Sequence, residues 1–125
     1  MPRAFPRRYS RVLVERTSPD GVVTLASPLL ARAGFAHAFS TRRGGVSAAP
    51  FDTLNLQSTQ ANARIPEGDP RDLDANICEN HARFAAAAGL ARDATVADLS
   101  QVHSCSVVRS IDALAARVPA DALTN

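Results

Sequence analysis

Asp69-PRDLDANICENHARFAAAA-Gly89 is the stretch whose reading decides the fold. Asp69 suits an N-cap, Pro70 the first helical position, and Asp72 the first turn, where a carboxylate meets the positive end of the helix dipole. Gly89 stands where a helix stops. Between them Leu73, Ile77, Phe84 and Ala88 recur at helical spacing and share one face. The pattern predicts a helix over 70–88, its alanine run suited to close packing against a sheet. Cys78, beside Ile77, reads as a small core residue and His81 as a structural or exposed one.

Working outward toward the N-terminus, Arg11 to Arg16 alternates around Val12 and Val14. The turn chemistry of Thr17-Ser-Pro-Asp-Gly21 follows, then Val22, Val23 and Leu25, which together predict a hairpin. Ser27 to Gly34 fits a short helical turn closed by glycine, and His37 to Thr41 a strand entering a turn at Gly44-Gly45. Beyond the long helix, Val96 to Leu99 and Ser106 to Ser110 read as strands, with Val107 and Val108 expected inside. Asp112 to Ala116 reads as a short helix or loop. The class is α+β (mixed α/β), a β-hairpin and mixed sheet packed by one long helix. Residues 1–10, rich in Pro and Arg without a period, are expected to be a flexible arm. Residues 11–125 are expected to form the N-terminal portion of a single domain, incomplete at its C-terminus.

The chain has 125 residues, 46% of them apolar and 21% charged, a composition that supports one packed core and excludes intrinsic disorder. Neither a membrane span nor a secretory signal is evident, so a cytoplasmic location is expected. Cys78 and Cys105 are the two thiols, enough for at most one bridge and consistent with a reducing compartment. The net charge of +2 is uneven: residues 1–50 carry eight Arg against Glu15 and Asp20, and residues 51–125 carry six Arg against ten acids. An anion-seeking surface therefore belongs to the first half. All fourteen basic residues are Arg, so cationic contacts are guanidinium forks.

Two segments concentrate reactive groups. Phe39-STRRGGV-Ser47 combines hydroxyls, two guanidiniums and a Gly-Gly pair, which suits either an anion-binding turn or a plain tight turn with solvated arginines. Gln101-VHS-Cys105 sets an imidazole and a thiol two residues apart, short of the ligand count that zinc requires. His37 reads as structural or exposed.

In order along the chain, H37-AFSTRRGGV-S47, F51-DTLN-L56, G68-DP, E79-N80, G89-L90, Q101-V-H103 and A120-DAL-T124 resemble the YfiH-like, or laccase-domain, family. That family is also known under the names multicopper polyphenol oxidase, peptidoglycan editing factor and purine nucleoside phosphorylase. Gln57, His81 and Ser104 depart from its pattern of Gly, Arg and Gly. The resemblance implies a zinc-dependent enzyme that phosphorolyses purine nucleosides and deaminates adenosine. It implies His103 as a metal ligand, partnered by a Cys and a His in T-A-D-C and H-A-G-W-R-G segments that belong downstream of Asn125. It implies Arg42, with Ser40 and Asn55, as substrate-binding residues, and leaves the catalytic residues unassigned. Residues 1–125 are then expected to be inactive alone and prone to self-association. Purine nucleoside and phosphate are the expected partners, and no membrane. Copper-dependent polyphenol oxidation and hydrolytic editing of cell-wall precursors are the alternatives. A non-enzymatic nucleic-acid module built on the Arg-rich arm is a third, disfavoured for want of a binding motif.

Overall fold

The computed structural model of the chain describes residues 12–94, 105, 107–109 and 122–124. The expected arm over 1–10, the strand over 96–99, the helix or loop over 112–116 and His103 lie outside them. The chain divides into two compact units, Met1–Ala94 and Thr95–Asn125.

In the first unit, β1 (Val14–Thr17), β2 (Val23–Ala26) and β3 (Phe39–Ser40) form an antiparallel sheet in that order. Val14 pairs with Ala26 and Thr17 with Val23, while Thr24 faces Ser40 across the second ladder. The hairpin turn is closed twice by Ser18, whose carbonyl accepts from the Gly21 amide and whose hydroxyl accepts from the Val22 amide. The strand begins at Val14 rather than Arg11, and Val12 is exposed. As the central strand, β2 carries the buried residues Val23, Thr24 and Ala26, beside fully buried Val22. Its two neighbours are exposed edges.

Two helices end by the same device. α1 (Pro28–Arg32) starts on Ser27, whose Oγ accepts from the Leu30 amide. At its other end the Gly34 amide donates to Ala31 O and the Phe35 amide to Leu30 O. In α3 (Asp74–Ala87) the Gly89 amide donates to Ala86 O and the Leu90 amide to Ala85 O. Both glycines take the left-handed conformation this closure needs, φ 86° and 81°.

The start of α3 differs from expectation. It begins at Asp74, four residues after Pro70, behind an extended Leu73. The reason lies at Asp72, whose amide donates to Asn62 Oδ1 and whose carbonyl accepts from Asn62 Nδ2. Its backbone groups are thus engaged by a side chain from the preceding helix, α2 (Thr59–Ala63), which the sequence reading did not anticipate. The buried face of α3 is set by Ile77, Asn80 and Ala85. Leu73, expected on it, is 67% exposed, and Cys78 is exposed rather than part of the core.

In the second unit, β4 (Val107–Arg109) runs parallel to β5 (Ala122–Thr124), with Val107 opposite Ala122. Val107, expected inside, is 57% exposed within a short two-stranded pair. The side chain of Val108 lies outside the description. No helix among the described residues is long and apolar enough to cross a membrane.

Candidate functional site

Directly after β3, residues 41–43 continue beside Val23 at the start of β2 without regular pairing. Thr41 Oγ1 donates to Val23 O at 2.6 Å and the Val23 amide donates to Arg43 O. The Gly-Gly pair then lets main chain meet main chain. A Cβ on Gly44 would overlap Gly21 O and the backbone of Val22, and one on Gly45 would overlap Thr53 O and Leu54 Cα. These glycines are packing devices. The neighbouring amides are also committed to the protein: Gly45 donates to Thr53 Oγ1, Val46 to Asn80 Oδ1 and Ser47 to Thr53 O. Of the two readings of this turn, amides open to an anion find no support at Gly45, Val46 and Ser47.

What remains for an anion is guanidinium. Arg42 is exposed, and its Nε donates to Asp52 O at 3.0 Å. Its carbonyl accepts from the Thr53 and Leu54 amides at 2.8 and 3.0 Å and from Thr53 Oγ1. With Nε tied to Asp52 O, the two terminal nitrogens of this exposed side chain bond to no partner among the described residues, which leaves them for a phosphate or carboxylate. Arg43 is exposed too, and its bonds to the described residues are made by backbone atoms alone. Ser40 is exposed on edge strand β3. Asn55 follows Leu54, so Arg42 and Asn55 are joined through one loop, yet the Asn55 side chain turns inward to Asp72.

Asp72 anchors a network that the sequence did not reveal. Its Oδ2 accepts from Ser47 Oγ and, at 3.0 Å, from Asn55 Nδ2. Its Oδ1 accepts from the Leu73 amide and Asn76 Nδ2. Burial pushes this carboxyl up, but the hydrogen bonds from Ser47, Asn55, Asn76 and Leu73 outweigh it and hold the group below the usual aspartate value. Fully buried Asn80 bolts the same assembly from α3, donating to Ser47 Oγ and Asn55 O. Among the described residues no buried side-chain polar atom lacks a partner. In the sequence Asn80 stands out only as half of the E79-N80 motif, Asp72 reads as a helix-dipole residue, and nothing local to Asn62 points to its role.

On the outer side of α3, Glu79 binds Arg83 at 2.9 Å and Arg92 at 2.9 Å, and Arg92 also reaches Asp20. Hydrogen bonds from Arg83 and Arg92 hold the Glu79 carboxyl below its usual range.

For a metal, the described residues do not fit: they contain no group of three or more His, Cys, Asp or Glu side chains placed to hold one. Both ring nitrogens of His37 are engaged, Nε2 by the Ser27 amide at 2.7 Å and Nδ1 by Phe35 O. His81 Nε2 is bonded to Gln57 O. Cys78 and Cys105 are free and exposed.

The order of these segments, from the strand at Phe39 through Arg42 and the double glycine to the Glu79-Asn80 helix, has a counterpart among known proteins. Residues 36–125 match the family of multi-copper polyphenol oxidoreductase laccases. The chain belongs to that family. This laccase-family chain is also similar to a curated protein named purine nucleoside phosphorylase from Deinococcus radiodurans, 44% identical over 94 residues. The likeness covers 75% of this chain and 31% of that protein, so the chain spans about a third of the relative's length. No solved structure matches it. For a laccase-family member, the motif residues Asn80, Gly44 and Gly45 have structural work, whereas Arg42 is left presented to solvent.

Proposed function

We propose that this laccase-family chain serves a purine nucleoside phosphorylase that also deaminates adenosine, with zinc as its metal and the cytoplasm as its location. The observation that carries the reading is the 44% identity to a protein of that name, over a segment that includes the described Arg42 loop. In phosphorolysis a phosphate oxygen bonds to C1′ of the nucleoside as the glycosidic C–N bond breaks, releasing the purine and a ribose 1-phosphate. Arg42 would hold the phosphate bidentately and offset its charge through transfer, in a direction set by the bond from Nε to Asp52 O. Ser40 and Asn55 are proposed beside it as substrate-binding residues. When bound, zinc would supply an activated water for deamination, and His103 is the ligand proposed from this chain. One imidazole holds zinc weakly, so residues 1–125 by themselves are expected to bind it loosely and turn over little.

Steady-state kinetics on the full-length protein tests the site. Arg42→Ala is expected to lower kcat/KM for phosphorolysis by about tenfold or more, and Arg43→Ala to do much less. Equal losses at both positions would sink the assignment of Arg42. The family description favours a second reading, copper-dependent oxidation of polyphenols. Oxygen consumption with a phenol and added copper, in the absence of phosphate-dependent base release, would establish it instead.

A further inference from the structure

We infer that Asp72 is a positioning residue for Arg42: its buried carboxylate anchors, through Ser47 and Asn55, the loop on which the Arg42 fork is mounted. The inference rests on the reading of Arg42 as a phosphate-binding group.

Asp72 is 8% exposed. Among the described residues no cation bonds to it, and its charge is met by four donors, two on each oxygen. The donors divide by origin. Leu73 and Asn76 belong to the approach to α3 and its first turn, so their bonds fix the carboxylate to its own element. Ser47 and Asn55 come from the loop that follows the double glycine, 25 and 17 positions away in sequence, so their bonds fix that loop to the carboxylate.

The residues just before Asn55 are those that hold Arg42. The Leu54 and Thr53 amides grip its carbonyl, and Asp52 O receives its Nε. A shift of Asn55 is therefore passed directly to the groups that set both the backbone position and the side-chain direction of Arg42. A charged acceptor suits this task. Hydrogen bonds to an ionised carboxylate are stronger than neutral ones, and one carboxylate oxygen takes two donors. An asparagine at this place would set an N–H₂ group against two donors and lose at least two of the four bonds.

The experiment separates loop from helix. Inorganic phosphate is titrated calorimetrically into the full-length wild type and the variants Asp72→Asn, Ser47→Ala, Asn76→Ala and Arg42→Ala, and amide hydrogen exchange is followed at Thr53 and Leu54. Asp72→Asn and Ser47→Ala are expected to weaken phosphate binding by about tenfold and to speed exchange at both amides. Asn76→Ala removes a bond of the same kind from the helix side and is expected to leave both readouts near wild type. If Asp72→Asn does not fold, Ser47→Ala against Asn76→Ala decides alone. A loss of phosphate binding in Arg42→Ala with none in Ser47→Ala, or equal losses in Ser47→Ala and Asn76→Ala, overturns the inference. If Arg42→Ala binds phosphate as the wild type does, the reading of Arg42 fails. Exchange at Thr53 and Leu54 then decides whether Asp72 anchors the loop, and unchanged exchange in Ser47→Ala refutes that too.

Discussion

The carboxylate of Asp72 ties stability to acidity. Four donors hold its folded-state value below that of the unfolded chain, which lies at about 3.9 for an aspartate. The native state thus binds this proton less readily than the unfolded state. Its contribution is complete above the unfolded value and is lost as pH falls through the lower folded one. Asp72→Asn is expected to be less stable at neutral pH by roughly 2–3 kcal/mol, the cost of leaving buried donors unpaired, and to show a flatter decline below about pH 4. Glu79, also held low by Arg83 and Arg92, keeps part of the acid limb in the variant. Urea unfolding followed by circular dichroism from neutral to acid pH measures both; parallel curves for the two proteins would contradict the assignment. Asp72 shows why sequence alone missed this group. Its carboxylate is as good a first-turn residue as a network centre, and the partners that settle the matter, Ser47 and Asn55, are distant in sequence. The Phe39–Ser47 segment was legible as a family motif because it could be matched residue by residue, whereas the orientation of Asn55 toward the interior depends on a contact that no local pattern encodes.

Within α3 the two ends were unequally readable. A helix that stops on a left-handed residue needs glycine there, so Gly34 and Gly89 marked the ends of α1 and α3 from sequence alone. The start is set by a tertiary bond from Asn62, and Pro70 with Asp69 gave a signal that competition for the backbone of Asp72 overrode. The consequence falls on the apolar face. Ile77 is 1% exposed, and Ile77→Ala is expected to cost about 3 kcal/mol for the lost contacts and the cavity left behind. Leu73→Ala, at an exposed position outside the helix, is expected to change stability by no more than about 0.5 kcal/mol. Thermal unfolding of the two variants checks the helix register directly, and a large loss at Leu73 would restore the longer helix. The hairpin was readable for the opposite reason, since its turn residues and its alternation lie within one short segment.

At the scale of the molecule, family membership was legible from scattered motifs in the right order, although the departures at Gln57 and His81 meet each other, with the His81 ring bonded to Gln57 O. Less predictable was how much apolar surface the first unit presents: Leu29, Phe35, Leu73 and Leu90 are all more than half exposed. Surfaces of this kind drive association when they form contiguous patches. Residues 1–125 are expected to self-associate reversibly with concentration, and Phe35→Ser with Leu90→Ser to weaken that tendency. Sedimentation velocity across a wide concentration range reads it, and a single monomeric species throughout would count against it.

The meeting of main chain with main chain at Gly44 and Gly45 constrains how this protein can be altered by evolution or by design. Where a large side chain crowds its neighbour, a second substitution can shrink the neighbour and restore the fit. Here the atoms in the way belong to the backbones of Gly21, Val22, Thr53 and Leu54, and every residue type carries those atoms. No exchange of amino acid at the facing positions can make room, so the two glycines have no second-site suppressors of that kind. Relief would require a change in the length or path of a loop, and the same loop carries Arg42.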